Sequence, residues 1–273
     1  MIRLRTTPWI LAALCLCLGS VQATAEEKHP VFTDTWQFTA SALFQNSDAS
    51  VSSTGPLQNT RKLDLEDLGM DDSTVVPQIT AQWRFADRWL LNFGYSDFSL
   101  DGNKAVASSF DFGGVTFPLN ASLETEFGIS SIVVAVDYVV FQSDRSEFGI
   151  GAGLHGLDLN ITLDGDINGT LVAESQSDFL APLPNLRIFG RYAFTPKLTT
   201  NFQFGWMGAN IENYSGELLI ASAGIRYRFA SRWSLGLNYQ ITSINFEVGG
   251  GRFEEDYDIE LDGVSLAVRY SIP

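Results

Sequence analysis

The segment Asp164-Gly165-Asp166-Ile167-Asn168-Gly169 is the strongest local candidate for chemistry in this 273-residue chain. Alternate oxygen-bearing side chains followed by glycine reproduce the opening of a calcium loop. There, carboxylate and amide oxygens converge on a hard cation and glycine permits a sharp turn. The pattern then departs, because the position due a bidentate glutamate is Ser175, with Glu174 one place early. Asp, Asn and Gly are also ordinary turn formers. Calcium at Asp164, Asp166 and Asn168 therefore stands beside a plain hairpin tip, and no other cofactor is expected.

General acid–base chemistry has little to work with. Only His29 and His155 are present, and the two cysteines, Cys15 and Cys17, both fall in the N-terminal apolar stretch. No serine–acid constellation is visible near His155, and a lone histidine in an alternating stretch is more often a hydrogen-bonded core residue than a catalyst. The chain is expected not to be an enzyme, with a hydrolase using His155 as the least favoured reading. Gly149-Ile150-Gly151-Ala152-Gly153 is not a phosphate loop, since no helix follows it.

A third group is a set of charges: Arg84, Asp137, Glu147, Arg191, Arg226, Arg228 and Arg269. They lie far apart in sequence and can meet only if the elements that carry them share one interior. Those elements read as strands. Two near-identical hexapeptides, Arg84-Phe85-Ala86-Asp87-Arg88-Trp89 and Arg228-Phe229-Ala230-Ser231-Arg232-Trp233, are flanked by alternating apolar and polar residues. Strict alternation marks a half-buried strand, so each hexapeptide is a tight hairpin with an aromatic on both legs. Arg191 to Leu198 follows the same plan.

Alternation between turn signals gives ten strands, approximately Trp36–Phe44, Val75–Phe85, Trp89–Leu100, Leu123–Phe141, Glu147–Leu163, Phe179–Phe194, Leu198–Ile211, Glu217–Phe229, Trp233–Phe246 and Tyr257–Tyr270. Short connections alternate with longer ones. The fold expected is all-β, a transmembrane antiparallel up-and-down β-barrel of about ten strands, within a range of eight to twelve. Aromatics beside the turns, Trp83, Phe85, Trp89, Tyr138, Tyr192, Tyr227, Phe229, Trp233 and Tyr270, would sit at the lipid–water boundary. The opposite parity places the seven charges in the lumen, with Arg84 and Arg228 aimed toward Asp137 and Glu147. In the strand from Glu147, the apolar register changes near Gly153 and Gly156, which would host a bulge.

The N-terminus sets the compartment. Arg3 and Arg5 precede an apolar run from Trp9 to Leu18 and a small-residue site at Ala23-Thr24-Ala25, so residues 1–25 read as an export signal and 26–273 as the barrel. A net charge of −15, crowded into the long connections, argues against nucleic-acid binding.

The closing stretch Leu261 to Tyr270 resembles the C-terminal signal strand of bacterial outer-membrane barrels, except that Ser271-Ile272-Pro273 follow the terminal aromatic. With Leu63-Asp64-Leu65-Glu66-Asp67-Leu68-Gly69-Met70 and Pro182-Leu183-Pro184, the chain resembles a diffuse group of uncharacterised proteobacterial outer-membrane β-barrel proteins. The resemblance implies a fold and a location rather than an activity. The expectation is a monomer in the Gram-negative outer membrane, in contact with lipid and lipopolysaccharide and delivered by the barrel-assembly machinery. It would have acidic outer loops and a charged, plugged lumen, and act as a structural or surface-interaction protein. The alternative is a narrow passive pore.

Overall fold

Among the described residues, alternation of apolar and polar side chains underlies thirteen strands, preceded by one short 3-10 turn, Pro30–Phe32. The structure, a computed structural model, describes residues 28–54, 60–64, 70, 72–105, 109–112, 115–167, 170–211, 214–248 and 254–273. Residues 1–25, expected to be an export signal, lie outside the described residues, as do Asn168 and most of the Leu63–Met70 stretch.

The strands are β1 (Trp36–Thr54), β2 (Thr60–Asp64), β3 (Ser73–Ala86), β4 (Trp89–Ala105), β5 (Phe110–Phe112), β6 (Val115–Phe117), β7 (Ser122–Gln142), β8 (Ser146–Ile167), β9 (Thr170–Ala193), β10 (Leu198–Ile211), β11 (Tyr214–Arg228), β12 (Trp233–Val248) and β13 (Glu254–Ile272). Ten of them form a closed antiparallel barrel in the order β13-β12-β11-β10-β9-β8-β7-β4-β3-β1, sealed by β1 against β13. β2 extends the wall where β3 ends: Asn46 pairs with Ser73, and Ser50 above it with Asp64. β5 and β6 make a separate small hairpin.

One end of the barrel carries the tight turns and the other the long hairpins. Near the turn end the outer wall is ringed by aromatics in mutual contact. Trp36 stacks on Trp83 with centroids 5.3 Å apart, Trp89 meets Tyr138 at 4.9 Å, and Trp233 meets Tyr270 at 4.9 Å. Phe85, Tyr192, Tyr227 and Phe229 also face outward. Above this ring runs an outward apolar belt that includes Ile79, Phe93, Ile132, Leu154, Leu235 and Leu266. Large apolar side chains exposed as a continuous belt need a non-aqueous solvent, and alternation leaves the polar residues inside.

Toward the hairpin end the polarity inverts. The interior there is filled by Leu43, Phe98, Leu123, Phe127, Leu163, Met207, Leu218, Ile244 and Ile259, which form one buried cluster. The outward positions at that level include Asp97, Asp101, Glu124, Glu126, Asp158 and Glu260, all exposed. This upper part, the crown, is built like a water-soluble barrel. Each fully buried leucine or isoleucine there contributes about 1.5–3 kcal/mol.

The inversion corrects the expected bulge at Gly153 and Gly156. β7 and β8 stay in register past both glycines, with Leu154 opposite Val134 and Gly156 opposite Ile132. Side-chain direction never switches. Leu157 and Leu163 point inside, on the same face as His155, because the apolar residues move from the outer to the inner face where the wall leaves the belt. The long connections are correspondingly shorter than expected. The connection expected between Leu163 and Phe179 is largely strand: β8 runs on to Ile167 and β9 starts at Thr170, with Asp164 opposite Glu174 and Asn160 opposite Asp178.

Candidate functional site in the lumen

The two hexapeptides perform the same local task. Arg84 Nη1 donates to the carbonyl of Asp87 at 2.9 Å, and Arg228 Nη1 donates to the carbonyl of Ser231 at 2.9 Å. Each arginine thus closes its own turn and holds one nitrogen in reserve for a carboxylate. Arg84 Nη2 meets Glu147 Oε2 at 2.7 Å. Arg228 Nη2 meets Asp34 Oδ2 at 2.7 Å. Sequence parity aimed Arg228 at Asp137 and Glu147. The structure gives it Asp34 instead, because the N-terminal segment enters the turn end of the barrel directly beneath it.

Glu147 is 1 % exposed and holds two guanidinium groups, the second being Arg191 at 3.6 Å. Gln142 Nε2 donates to the same carboxylate at 3.3 Å. Asp137, fully buried, lies 3.2 Å from Arg187 and accepts from Asn92 at 2.9 Å. Amides join the two clusters: Gln82 donates to Asn92 at 2.6 Å and accepts from Arg191 at 2.8 Å. The Arg187–Asp137 and Arg191–Glu147 contacts are Coulombic rather than aligned hydrogen bonds, since the nitrogens and oxygens involved lack hydrogen-bond geometry. Burial strengthens such attractions and equally raises the cost of breaking them.

Arg226 and Arg269 stand apart from these clusters. Arg269 donates to Thr39 and Gln37, not to a carboxylate. Arg226 is buried, and its Nη1 meets no acceptor among the described residues.

Sequence reasoning missed the cork. His29, Val31, Phe32 and Asp34 are all buried at the turn end, where Val31 and Phe32 pack on Ala193. Gln37 Nε2 donates to the Val31 carbonyl at 3.1 Å, and His29 N to the carbonyl of Asp144 at 3.3 Å. The segment has no periodicity to betray it; the only signal is an apolar pair after Pro30, in a tail that alternation does not reach.

The His29 ring is held neutral. Its Nδ1 accepts from Val31 N at 3.1 Å, so Nε2 carries the hydrogen and donates to the Pro196 carbonyl at 3.0 Å. Burial lowers its pKa below the usual 6.5; the Pro196 bond opposes this, Arg228 adds to it, and Asp34 opposes it. Between pH 6.5 and that lower value the unfolded chain binds the proton and the docked segment does not. Stability is therefore full above pH 6.5 and falls as the pH drops through this window. Urea midpoints in detergent at pH 7.5 and pH 5 should show that fall in the wild type, and His29→Gln should remove part of it.

Between the cork and the crown core lies a cavity of about 300 Å³ lined by Gln78, Ser131, His155, Arg187, Arg191, Arg226 and Arg269 among others. His155 Nε2 is hydrogen-bonded to Ser131 Oγ, a partner supplied by β7 that the sequence did not reveal. Its Nδ1 is buried without a partner among the described residues. Asp164 and Asp166 lie in the wall on β8 rather than on a loop tip.

Three solved structures are similar in architecture. The outer membrane protease OmpT from Escherichia coli aligns over 86% of this chain and 97% of its own, with 8% identity and a TM-score of 0.54. The chain has the outer-membrane β-barrel fold. The translocator domain of the autotransporter NalP from Neisseria meningitidis covers 86% and 88% at 11% identity and a TM-score of 0.45. Neisserial surface protein A covers 87% and 97% at 13% identity and a TM-score of 0.34. The sequence matches no protein-family model and no curated protein.

The match to OmpT overturns the expectation that this chain is not an enzyme. That expectation rested on scarce histidine and on the lack of a serine–acid constellation near His155, and a barrel of similar fold serves a protease in the Escherichia coli protein.

Proposed function

We propose that the protein is an integral outer-membrane barrel, closed to solutes, that presents its crown at the cell surface as an interaction module. One observation carries this reading: the interior is blocked twice, by the N-terminal cork at the turn end and by the apolar core of the crown at the hairpin end. A conducting barrel needs a continuous polar interior, and barrels of this size have room for little beyond their own side chains. The alternative, a narrow pore, would require both blocks to leave.

The outer surface of the crown supports the interaction role. Asp101 on β4 stands directly opposite Glu126 on β7, and Asp48 on β1 opposite Glu260 on β13. Like charges in register repel, and a surface that keeps them in pairs suits divalent cations shared with lipopolysaccharide phosphates or a basic partner. The aromatic ring and apolar belt anchor a monomer in lipid, with the turns on the periplasmic side and the crown outside.

Refolded protein inserted in planar bilayers, with insertion verified by protease protection in vesicles from the same preparation, is expected to give a closed trace at all voltages. Discrete, reproducible openings would overturn the closed-barrel reading.

A further inference from the structure

The two sides of the lumen differ in charge balance. On the β3–β9 side, Arg84, Arg187 and Arg191 share Asp137 and Glu147. Across the cavity, Arg226 on β11 and Arg269 on β13 have no carboxylate in ion-pair range among the described residues. Both line the cavity. The charged group that acts on Arg226 is another cation, Arg191. Arg269 feels Arg226, Arg191 and Arg228 against a single acid, Asp34, which already pairs with Arg228.

Arg226 is 8% exposed, and its Nη1 is buried without an acceptor. A guanidinium presents five donors in a planar fork, and an uncompensated charge in a barrel interior is costly. Gln203, which also lines the cavity, accepts from Arg187 at 2.9 Å. The cavity of about 300 Å³ is at the small end of ligand sites, and its wall supplies neutral donors from Asn201, Ser222 and Gln240.

We propose that this cavity is a binding site for a small oxyanion of the inorganic phosphate or sulfate kind, held by the Arg226 and Arg269 guanidinium groups. The Arg226 fork on β11 and the Nη2 of Arg269 on β13, with β12 between them, match the several oxygens of such an ion better than a spherical halide, and the excess of cations supplies the attraction. The cork lies on the route from the turn end, since Val31 lines the cavity floor. The ion is therefore best admitted during refolding.

The test uses the full chain refolded in zwitterionic detergent with inorganic phosphate, against sodium chloride at matched ionic strength. Phosphate is expected to raise the thermal midpoint saturably beyond chloride. Arg226→Gln is expected to weaken the phosphate response about tenfold while raising the midpoint in phosphate-free buffer, because a buried unpaired charge has gone. An equal response to chloride, or an undiminished phosphate response in Arg226→Gln, would overturn the proposal. If that variant does not refold, Arg226→Lys keeps the charge and loses the planar fork. The same tenfold weakening is expected from it, and wild-type affinity would overturn the proposal in the same way.

Discussion

Replacing Glu147 by alanine is expected to destabilise the barrel by about 3–5 kcal/mol, the cost of removing one partner from a buried ion pair. The carboxylate is 1 % exposed and serves two cations, so its loss strands Arg84 and Arg191 together in a dry interior. Arg84 would still close its turn through Asp87, but its second nitrogen would have nothing to meet. Glu147→Gln should lose less, since the amide oxygen still accepts from one guanidinium. The urea midpoint of the refolded protein reads the effect. The double variant with Arg84→Met should recover part of the loss, because a repulsive pair disappears. A double variant as unstable as the sum of its parts would show that the two residues do not interact.

The second large effect concerns closure. Gly263 pairs with Gln45 across the β1–β13 seam, and a Cβ there would run into the carbonyl oxygen of Phe44 and the Cα of Gln45. Both are backbone atoms of the closing strand, so nothing can swing aside. In an ordinary strand, exchanging glycine for alanine relieves about 0.5–1 kcal/mol of backbone entropy cost. At this seam, Gly263→Ala is expected instead to cost at least the roughly 1–3 kcal/mol of an overpacked core, and Gly263→Val to abolish the folded barrel. Gly156→Ala is the internal control, since its Cβ would meet only the Ile132 carbonyl at 3.9 Å, an ordinary contact. Loss of the fast-migrating folded band on unheated gels for Gly263→Val, with Gly156→Ala retaining it, is the expected pattern. Normal folding of Gly263→Val would remove the steric account.

How far these features were legible in the sequence depended on whether the information was local. Turn residues and alternation are local, so all ten wall strands could be read from Trp36 to Tyr270, along with the ring of aromatics beside the turns. Alternation has the same period on either face, however. Leu157 and Leu163 alternate as regularly as Phe148 and Ile150, and sequence cannot say that the first pair faces inward and the second outward. That ambiguity produced the bulge that is not there and the loops that proved to be strand. In the lumen, Arg84 and Glu147 are 63 residues apart, and parity alone brought them to the same interior. For Arg228 the same reasoning failed, because its partner Asp34 is 194 residues away on a segment with no pattern. Ser131 was hidden from His155 for a related reason: the hydrogen bond depends on strand register, which only the folded sheet defines.

The inversion of polarity along the wall has a mechanical consequence. Below it, from Trp233 to Ile241, the outer face of β12 is apolar at every second residue; above it, Asn245 and Glu247 take those positions. Raising the barrel would lift aromatic rings out of the lipid, and lowering it would drag carboxylates into hydrocarbon. Either displacement is opposed along β12, and the exposed carboxylates of β4, β7, β8 and β13 add to it. The protein carries its own waterline, written into the outer wall of its barrel.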